Sequence, residues 1–416
     1  MATVVWKGDA ASVAQVTVCT VGGTIDATQN FTITIGSKSL NVISGGTTAT
    51  AVVVNIVAAW NALNTSAFPE FAGLVATNNL NGSFTLTGTP GVPFTVTIAT
   101  TEAGGGTSTA TFTQSTTTAA TGPAFWSEPR NWTSGTVPAS GDDVVIQNSS
   151  VAIQYGLDQS AVTLASLRVD QSFTGTIGLP RTNPLGYIEY RPTYLKVEAS
   201  QIVIGNGTGA GSGRIKLDTG TGQCAIDVLN SGNPADTGIR SILWKGTHAS
   251  NTATINKGSF AAAPFAGESA TLATLKEGFR TNVVGDCDVQ LGAGCTLSSL
   301  VKTGGTLEIN SSFSSLAHSA GETTIAGGTP GAMTISGGSV RYRTSGTYTS
   351  ATVSSGGELD FRQDMQARSG TNTALQSGAI FRDPAKTVTF TNPIAVACQL
   401  SEITLDLGNT FNLQRS

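Results

Sequence analysis

Side chains that could perform catalysis are sparse in this chain of 416 residues. Its two histidines, His248 and His318, stand in no motif with the nucleophile and the orienting acid that a hydrolytic triad requires. We expect both on the surface or in loops. The sequence also lacks a Gly-Lys-Ser/Thr loop that could cradle a phosphate. It therefore predicts no catalytic residue, no cofactor-binding residue and no metal ligand, and we expect neither an enzyme nor a cofactor.

Paired carboxylates are the strongest candidates for chemistry, and three pairs stand out: Asp286 with Asp288, Glu358 with Asp360, and Asp142 with Asp143. Two carboxylates on one face could act as the acid and base of a glycosidase, or they could bind Ca²⁺. Asp286 and Asp288 flank Cys287, so on a strand both point outward. We interpret the first two pairs as solvated outward residues. The third pair is interpreted as turn and cap chemistry rather than a metal site.

The cysteines show no disulfide framework, because their number is odd and no pair has metal-ligand spacing: Cys19, Cys224, Cys287, Cys295 and Cys398. Cys287 lies on the apolar face of a predicted strand, so we expect a buried free thiol there. Unpaired thiols are typical of a protein that folds in a reducing cytosol.

Composition narrows the range of partners. Charged residues make up 12% of the chain, and the formal net charge is -4. A surface for nucleic acid or for an anionic membrane would need a basic stripe, and none is visible in the sequence. No apolar run is long enough to span a bilayer, and the first residues lack the features of a secretory signal. We therefore expect no nucleic acid and no membrane among the partners.

A glycine repeat predicts the elements that position these residues. The glycine is followed by an apolar side chain two and four residues later, and the glycines are spaced by 20, 16, 17, 19 and 21 residues: Gly285, Gly305, Gly321, Gly338, Gly357 and Gly378. Alternation at period two indicates strands with one buried face, and a repeat of this length indicates a solenoid of stacked rungs. Thr323 is the one polar inward residue. We expect the repeat to fail at Ile380, where Arg382 takes an inward position.

Two segments do not follow the glycine repeat. Trp126 and Trp132 belong to an aromatic segment ahead of the repeat, and we interpret them as a cap that closes the open end of the solenoid. A carbohydrate-stacking patch is the alternative. Residues 178–194, called the insert below, contain three prolines and three tyrosines and should form a lateral loop. If the chain trimerises, we expect the partner face at residues 187–194.

Two parts of the chain resemble known families. A helix with Ala58-Ala59-Trp60-Asn61 and the later segment Gly91-Val92-Pro93-Phe94-Thr95-Val96-Thr97 resemble a small module common in virion proteins of tailed phages. The stretch Trp126…Trp132…Gly135…Pro138…Gly141-Asp142-Asp143-Val144 resembles the N-terminal cap of right-handed parallel β-helix proteins on virions and cell surfaces. The resemblance implies a phage structural protein, and it transfers no catalytic residue.

The expected fold class is mainly β, with a small α+β N-terminal domain followed by a right-handed parallel β-helix, a solenoid, and a C-terminal cap. Residues 1–120 are expected to form the α+β attachment module, with one helix near 48–64. Residues 121–146 would be an aromatic linker and cap, and residues 147–385 the parallel β-helix. Residues 386–416 would supply the C-terminal cap strands.

The expected function is that of a phage virion structural protein, either a capsid decoration or cement protein or a head spike. It would be located in the virion after assembly in the host cytoplasm. The expected partners are further copies of itself in a homotrimer, and the major capsid protein or another virion protein. One alternative is a tailspike or tail fibre that recognises or cleaves host polysaccharide. The other is a cell-surface adhesin or filament subunit.

Overall fold

The structure, a computed structural model, describes residues 2–102, 108–206, 213–232, 238–278 and 287–408. The protein is mainly β, with 47% strand, and the described residues contain one α-helix. A long parallel sheet of about 20 strands dominates the molecule and is compatible with a parallel β-helix. The expected β class is therefore confirmed.

The first part of the chain combines one helix, α1 (Ala49–Asn61), with eight strands: β1 Thr3–Val5, β2 Val16–Gly22, β3 Asn30–Ile35, β4 Lys38–Ile43, β5 Val75–Asn78, β6 Ser83–Thr87, β7 Val96–Thr101 and β8 Thr111–Thr118. Two antiparallel sheets, with strand orders β5-β6-β2-β8 and β4-β3-β7, account for all of these except β1. Phe31, Trp60 and Phe84 share a buried cluster between the helix and the sheets. We call this part, β2 to β8 with α1, the N-terminal unit.

Helix α1 begins where the Thr48 hydroxyl accepts a hydrogen bond from the amide three residues later (3.3 Å). Its buried side chains recur at helical spacing: Val52, Val53, Ile56 and Trp60. The helix ends at Asn61, a little before the expected limit, because the chain turns at Asn64. The side chain of Asn64 accepts a hydrogen bond from the Ser66 amide (3.0 Å) in that turn.

The long sheet contains β1 and all later strands: β9 Asp143–Ile146, β10 Asp158–Val169, β11 Leu195–Asn206, β12 Ile215–Asp218, β13 Ala225–Asn230, β14 Ile242–Lys245, β15 Thr252–Ile255, β16 Gly258–Ala262, β17 Ala270–Glu277, β18 Cys287–Leu291, β19 Cys295–Lys302, β20 Thr306–Ile309, β21 Phe313–His318, β22 Glu322–Ile325, β23 Pro330–Ile335, β24 Ser339–Tyr342, β25 Tyr348–Val353, β26 Glu358–Asp360, β27 Arg368–Leu375, β28 Ile380–Arg382, β29 Val388–Phe390, β30 Ala395–Val396 and β31 Thr404–Asp406.

The chain enters the long sheet twice. Strand β1 pairs in parallel with β9, so that Val4 lies opposite Val144, and β9 continues the sheet to β10. The N-terminal unit therefore lies in the chain between two strands of the same sheet. Of residues 1–120, expected to form one module, Thr3–Val5 lie in the long sheet.

Two ladders of parallel strands make up most of the long sheet. From β12 to β26, each strand pairs with the strand two positions later in chain order, so odd-numbered and even-numbered strands form separate ladders, and the long strand β11 pairs with the first strand of each, β12 and β13. Leu307, Thr323, Val340 and Leu359 lie in register on successive even strands. Apolar side chains from both ladders share one buried cluster, because the period-two alternation turns the same face of every strand inward.

The glycine repeat predicted strand positions correctly across four successive rungs: Thr306–Ile309, Glu322–Ile325, Ser339–Tyr342 and Glu358–Asp360. Thr323 is buried, as the repeat predicted. The first member of the repeat, Gly285 with Asp286, lies outside the described residues.

The predicted inward position of Arg382 is wrong. Phe381 is buried and lies in register with Leu359, whereas the half-buried Arg382 donates a hydrogen bond to Glu358 (2.5 Å). The cause is the alignment of one glycine. The carbonyl of Gly378 accepts a hydrogen bond from the amide of Gly356 (2.8 Å), so Gly378 lies opposite Gly356. The repeat had aligned Gly378 with Gly357 instead. The inward positions of this rung are therefore shifted by one residue.

Candidate functional site

Three tryptophans pack together near the first strands of the long sheet. The ring of Trp132 packs edge-on against Trp6 and Trp126, with centroid distances of 5.0 and 4.7 Å. Its Nε1 donates to the carbonyl of Trp126 (2.8 Å). All three rings are buried in the core cluster of the long sheet, so they leave no face on which a saccharide could stack. Trp6 was missed in the sequence analysis, although Val4 and Trp6 follow the period-two pattern of buried residues.

A buried arginine joins the insert to the N-terminal unit. Arg191 donates two hydrogen bonds of 2.7 Å to the carboxylate of Glu189, one from Nε and one from Nη2. Its Nη1 donates to the carbonyl of Pro93 in the N-terminal unit (3.1 Å). The guanidinium also lies over the rings of Tyr155 and Tyr190, 5.5 and 5.3 Å from their centroids. One planar group therefore connects three parts of the chain.

The electrostatics of this junction favour a charged pair. Burial alone would raise the pKa of Glu189, but hydrogen bonds from Arg191 and Asn183 outweigh it and hold that pKa below its usual value. Burial also opposes the charge of Arg191, yet its bonds to Glu189 raise the pKa of the guanidinium. Both groups are therefore ionised at neutral pH, and among the residues that the structure describes each is the other's ion-pair partner.

An open groove of about 440 Å³ runs beside the junction. One wall comes from the N-terminal unit, at Gly73 and Thr89, and the other from the insert and the segment before it, at Asn183 and Gln154. The side chain of Leu185 lines the groove and is 55% exposed. The described lining holds no carboxylate, so this groove offers polar and apolar contacts but no acid–base pair.

A column of buried polar side chains interrupts the apolar core of the odd ladder. Glu277, Lys302 and His318 end strands β17, β19 and β21 and lie in register with one another. Ile255 precedes them in the same column and Ile335 follows. All three polar side chains are buried, and Nζ of Lys302 lies 3.1 Å from Oε1 of Glu277. We call these three residues the polar column.

The expectation for the histidines is confirmed for His248 and wrong for His318. His248 is half-buried in the loop after β14, whereas His318 is 1% exposed on β21. Nδ1 of His318 shares a hydrogen bond of 3.1 Å with the hydroxyl of Thr323. Burial lowers the pKa of His318 to about 4, and the nearby Lys302 acts in the same direction. The imidazole is therefore neutral at neutral pH.

The paired carboxylates bind arginines or backbone amides. Asp288 accepts a hydrogen bond from Arg240 (2.8 Å), while Asp286 lies outside the described residues. Asp360 is 3% exposed, so its interpretation as a solvated residue is wrong. It is buried because Arg362 covers it and donates to both of its oxygens (2.9 and 3.0 Å). Both carboxylates are therefore held by arginine guanidinium groups.

Asp142 lies in a turn, as expected, whereas Asp143 is the first residue of strand β9. Asp142 accepts hydrogen bonds from the amides of Ala2 (3.3 Å) and Ala139 (3.0 Å), so it ties the turn to the first residues of the chain. Asp143 accepts a hydrogen bond from the hydroxyl of Ser166 (2.5 Å). Within the described ranges, no group of three or more His, Cys, Asp or Glu residues could hold a metal ion.

All five cysteines are free, and Cys398 is the half-buried one among four that are buried. The expected buried thiol at Cys287 is confirmed. Burial raises the pKa of Cys19 and Cys224 to about 12, so neither thiol forms the nucleophilic thiolate at neutral pH.

Among the residues that the structure describes, no helix is long and apolar enough to cross a membrane. The chain was also compared with protein-family models, with curated proteins and with solved structures, and none of the three comparisons found a match.

Proposed function

We propose that this protein is a structural component of a tailed-phage virion, either a capsid decoration or cement protein or a head spike. It would bind the major capsid protein or another virion protein through protein–protein contacts, without catalysis. The observation that carries the proposal is the continuous buried cluster shared by both ladders, which extends from Val4 to Phe381. A densely packed core of this length resists bending and suits a part that must keep its shape on a particle.

The two ladders would close into a right-handed parallel β-helix. Pairing of each strand with the second strand after it is what one turn of such a helix produces. Connections between parallel strands of one sheet are almost always right-handed, which supports this hand. The strands β29 to β31 extend both ladders at the far end and would cap the helix there.

The N-terminal unit would attach the protein to the particle. Three copies would associate around the long axis, because closed symmetry hides equivalent surfaces and matches the axes of an icosahedral lattice. The insert supplies a candidate contact face, since Leu185 and Ile188 are 55% and 75% exposed. Large apolar side chains exposed three residues apart in one loop favour a surface that is covered by a partner.

The proposal is tested by light scattering of the purified protein and by electron microscopy of purified particles labelled with an antibody against it. We expect a trimer in solution and regularly placed label on the particles. Leu185→Asp and Ile188→Asp should convert the trimer to monomer. Met365→Asp is the matched control, because Met365 is equally exposed (73%) but lies far along the chain from the insert. A monomer that no particle contains would refute the proposal.

The groove beside the junction supports one alternative, a tail fibre that binds host polysaccharide. Its lining joins the amide groups of Gln154 and Asn183 with the ring of Tyr155, a combination that suits a sugar. Isothermal titration with host polysaccharide, together with an assay for new reducing ends, separates binding from cleavage. Heat of binding that disappears in Tyr155→Ala would favour this alternative over the capsid role.

A further inference from the structure

The two charged members of the polar column, Glu277 and Lys302, are held in contact, as two groups that react with each other must be. Glu277 and Lys302 are register partners on neighbouring strands, so their backbones hold the two side chains side by side. Both side chains are fully buried, and the Nζ–Oε1 distance is 3.1 Å. Because Oε1 is bonded to Cδ, this contact also brings Nζ close to Cδ, the carbon that an amine attacks, and holding two reacting groups together in this way contributes a large part of a reaction's acceleration.

The surroundings destabilise the ionised forms of both groups. Lys302 has a second acceptor in the carbonyl of Gly304 (2.5 Å), but among the described residues Oε2 of Glu277 has no hydrogen-bond partner. Burial raises the pKa of Glu277 to about 8, although Lys302 opposes this, and Asp288 adds to the rise. Burial also lowers the pKa of Lys302. Both shifts therefore favour the neutral amine and the neutral carboxylic acid over the ionised pair.

We propose that Lys302 and Glu277 condense into an intramolecular amide, an isopeptide bond that links strands β17 and β19. The lone pair of Nζ attacks Cδ of Glu277, and the new N–C bond forms as the bond from Cδ to the hydroxyl oxygen breaks. The hydroxyl leaves with one proton from the nitrogen, so one water molecule is released. The step uses no oxidant, reductant or further reactant.

Desolvation supplies the driving force. In water, condensation is opposed because ammonium and carboxylate are strongly hydrated, and that hydration is lost in the core. The amide carries no charge, so its formation removes the cost of burying two ions with an incomplete set of hydrogen bonds. Gly305 leaves room for the reacting groups, because a Cβ at that position would lie 2.7 Å from Oε1 of Glu277.

Peptide mass spectrometry after denaturing trypsin digestion tests the proposal on the full-length protein. The unmodified chain yields peptides 277–280 and 281–302. Acylated Lys302 resists trypsin, so the condensed chain should instead yield peptide 281–341 joined to 277–280, with the mass of one water missing. Separate peptides with full masses and normal cleavage after Lys302 would overturn the proposal.

The long sheet also provides a matched control. Lys245 and Asp218 are register partners on the even ladder with an Nζ–Oδ2 distance of 3.4 Å, but both side chains are partly exposed (28% and 20%). Water reaches this pair, so we expect it to remain uncondensed and cleavage after Lys245 to be complete. Lys302→Met should abolish the branched peptide, and Lys245→Met should leave it unchanged. A branched peptide that persists in Lys302→Met would also overturn the assignment.

Discussion

Replacing Arg191 by alanine should destabilise the protein far more than a typical surface change. The side chain of Arg191 is 9% exposed and that of its partner Glu189 is fully buried, so the substitution leaves a carboxylate in the protein interior without its counter-charge. Removal of one partner from a buried ion pair costs about 3–5 kcal/mol. The hydrogen bond to Pro93 and the contacts with Tyr155 and Tyr190 are lost as well.

Urea titration at neutral pH, followed by tryptophan fluorescence, measures this loss. The control is Lys7→Ala, because Lys7 forms an exposed ion pair with Asp9 (3.3 Å, with side chains 39% and 64% exposed). Exposed pairs contribute about 0–1 kcal/mol, so this variant should unfold near the wild-type midpoint. The double variant Arg191→Met with Glu189→Leu removes both charges and should recover most of the loss.

The reasoning fails if Arg191→Ala unfolds within about 1 kcal/mol of Lys7→Ala. It also fails if the double variant is as unstable as the single one, because the cost would then come from lost packing and not from an unpaired carboxylate. A double-mutant cycle with Glu189→Ala separates the cost of lost packing from the energy of the Arg191–Glu189 interaction. The coupling energy from this cycle should be well above that of a surface pair.

Three further predictions concern the core of the long sheet. Trp132→Ala should lower the free energy of unfolding by about 3–5 kcal/mol, measured by urea titration, because it leaves a cavity between two buried rings; a loss below about 1 kcal/mol would contradict the cap. His318 should contribute a fall of about 3 kcal/mol in the free energy of unfolding as the pH drops from about 6.5 to about 4, because the unfolded chain takes up a proton that buried His318 does not accept, whereas the raised pKa of Glu277 acts in the opposite direction over this range. His318→Leu removes the first contribution alone, so a pH series of urea titrations should show the difference in stability between this variant and the wild type changing by about 3 kcal/mol over this range, and a constant difference would refute the assignment to His318. Thr323→Val should cost about 1–3 kcal/mol, because Nδ1 of His318 loses its partner, and a variant as stable as the wild type would count against this hydrogen bond.

The rungs of the long sheet could be predicted because one local pattern determines them. Leu307 and Thr323 follow a glycine at the same distance, and the ladder stacks them in register. The same pattern could have located the polar column, since each of its members lies two residues after a buried leucine: Leu275, Leu300 and Leu316. The surface expectation for His318 is wrong because the absence of a catalytic motif does not show which face of a strand a residue occupies.

Contacts between distant parts of the chain could not be predicted in this way. Trp6 meets Trp132 because β1 pairs with β9, and neither strand carries a signal for the other. The hydrogen bond from Arg191 to the Pro93 carbonyl depends on how the insert meets the N-terminal unit. The acceptor is a backbone carbonyl, which every residue has, so the residue types near Pro93 do not indicate that Arg191 binds there.

The return of the chain to β9 gives the N-terminal unit two covalent connections to the same sheet, one through β1 and one through the segment before β9. A unit fixed at one end can swivel about a single hinge, whereas a unit fixed at both ends resists rotation and shares a pulling force between two chains. Extraction of β1 would have to shear its backbone hydrogen bonds along β9 together, rather than open them one by one. A force applied to the N-terminal unit would thus reach the long sheet through two connections of the chain and not through one.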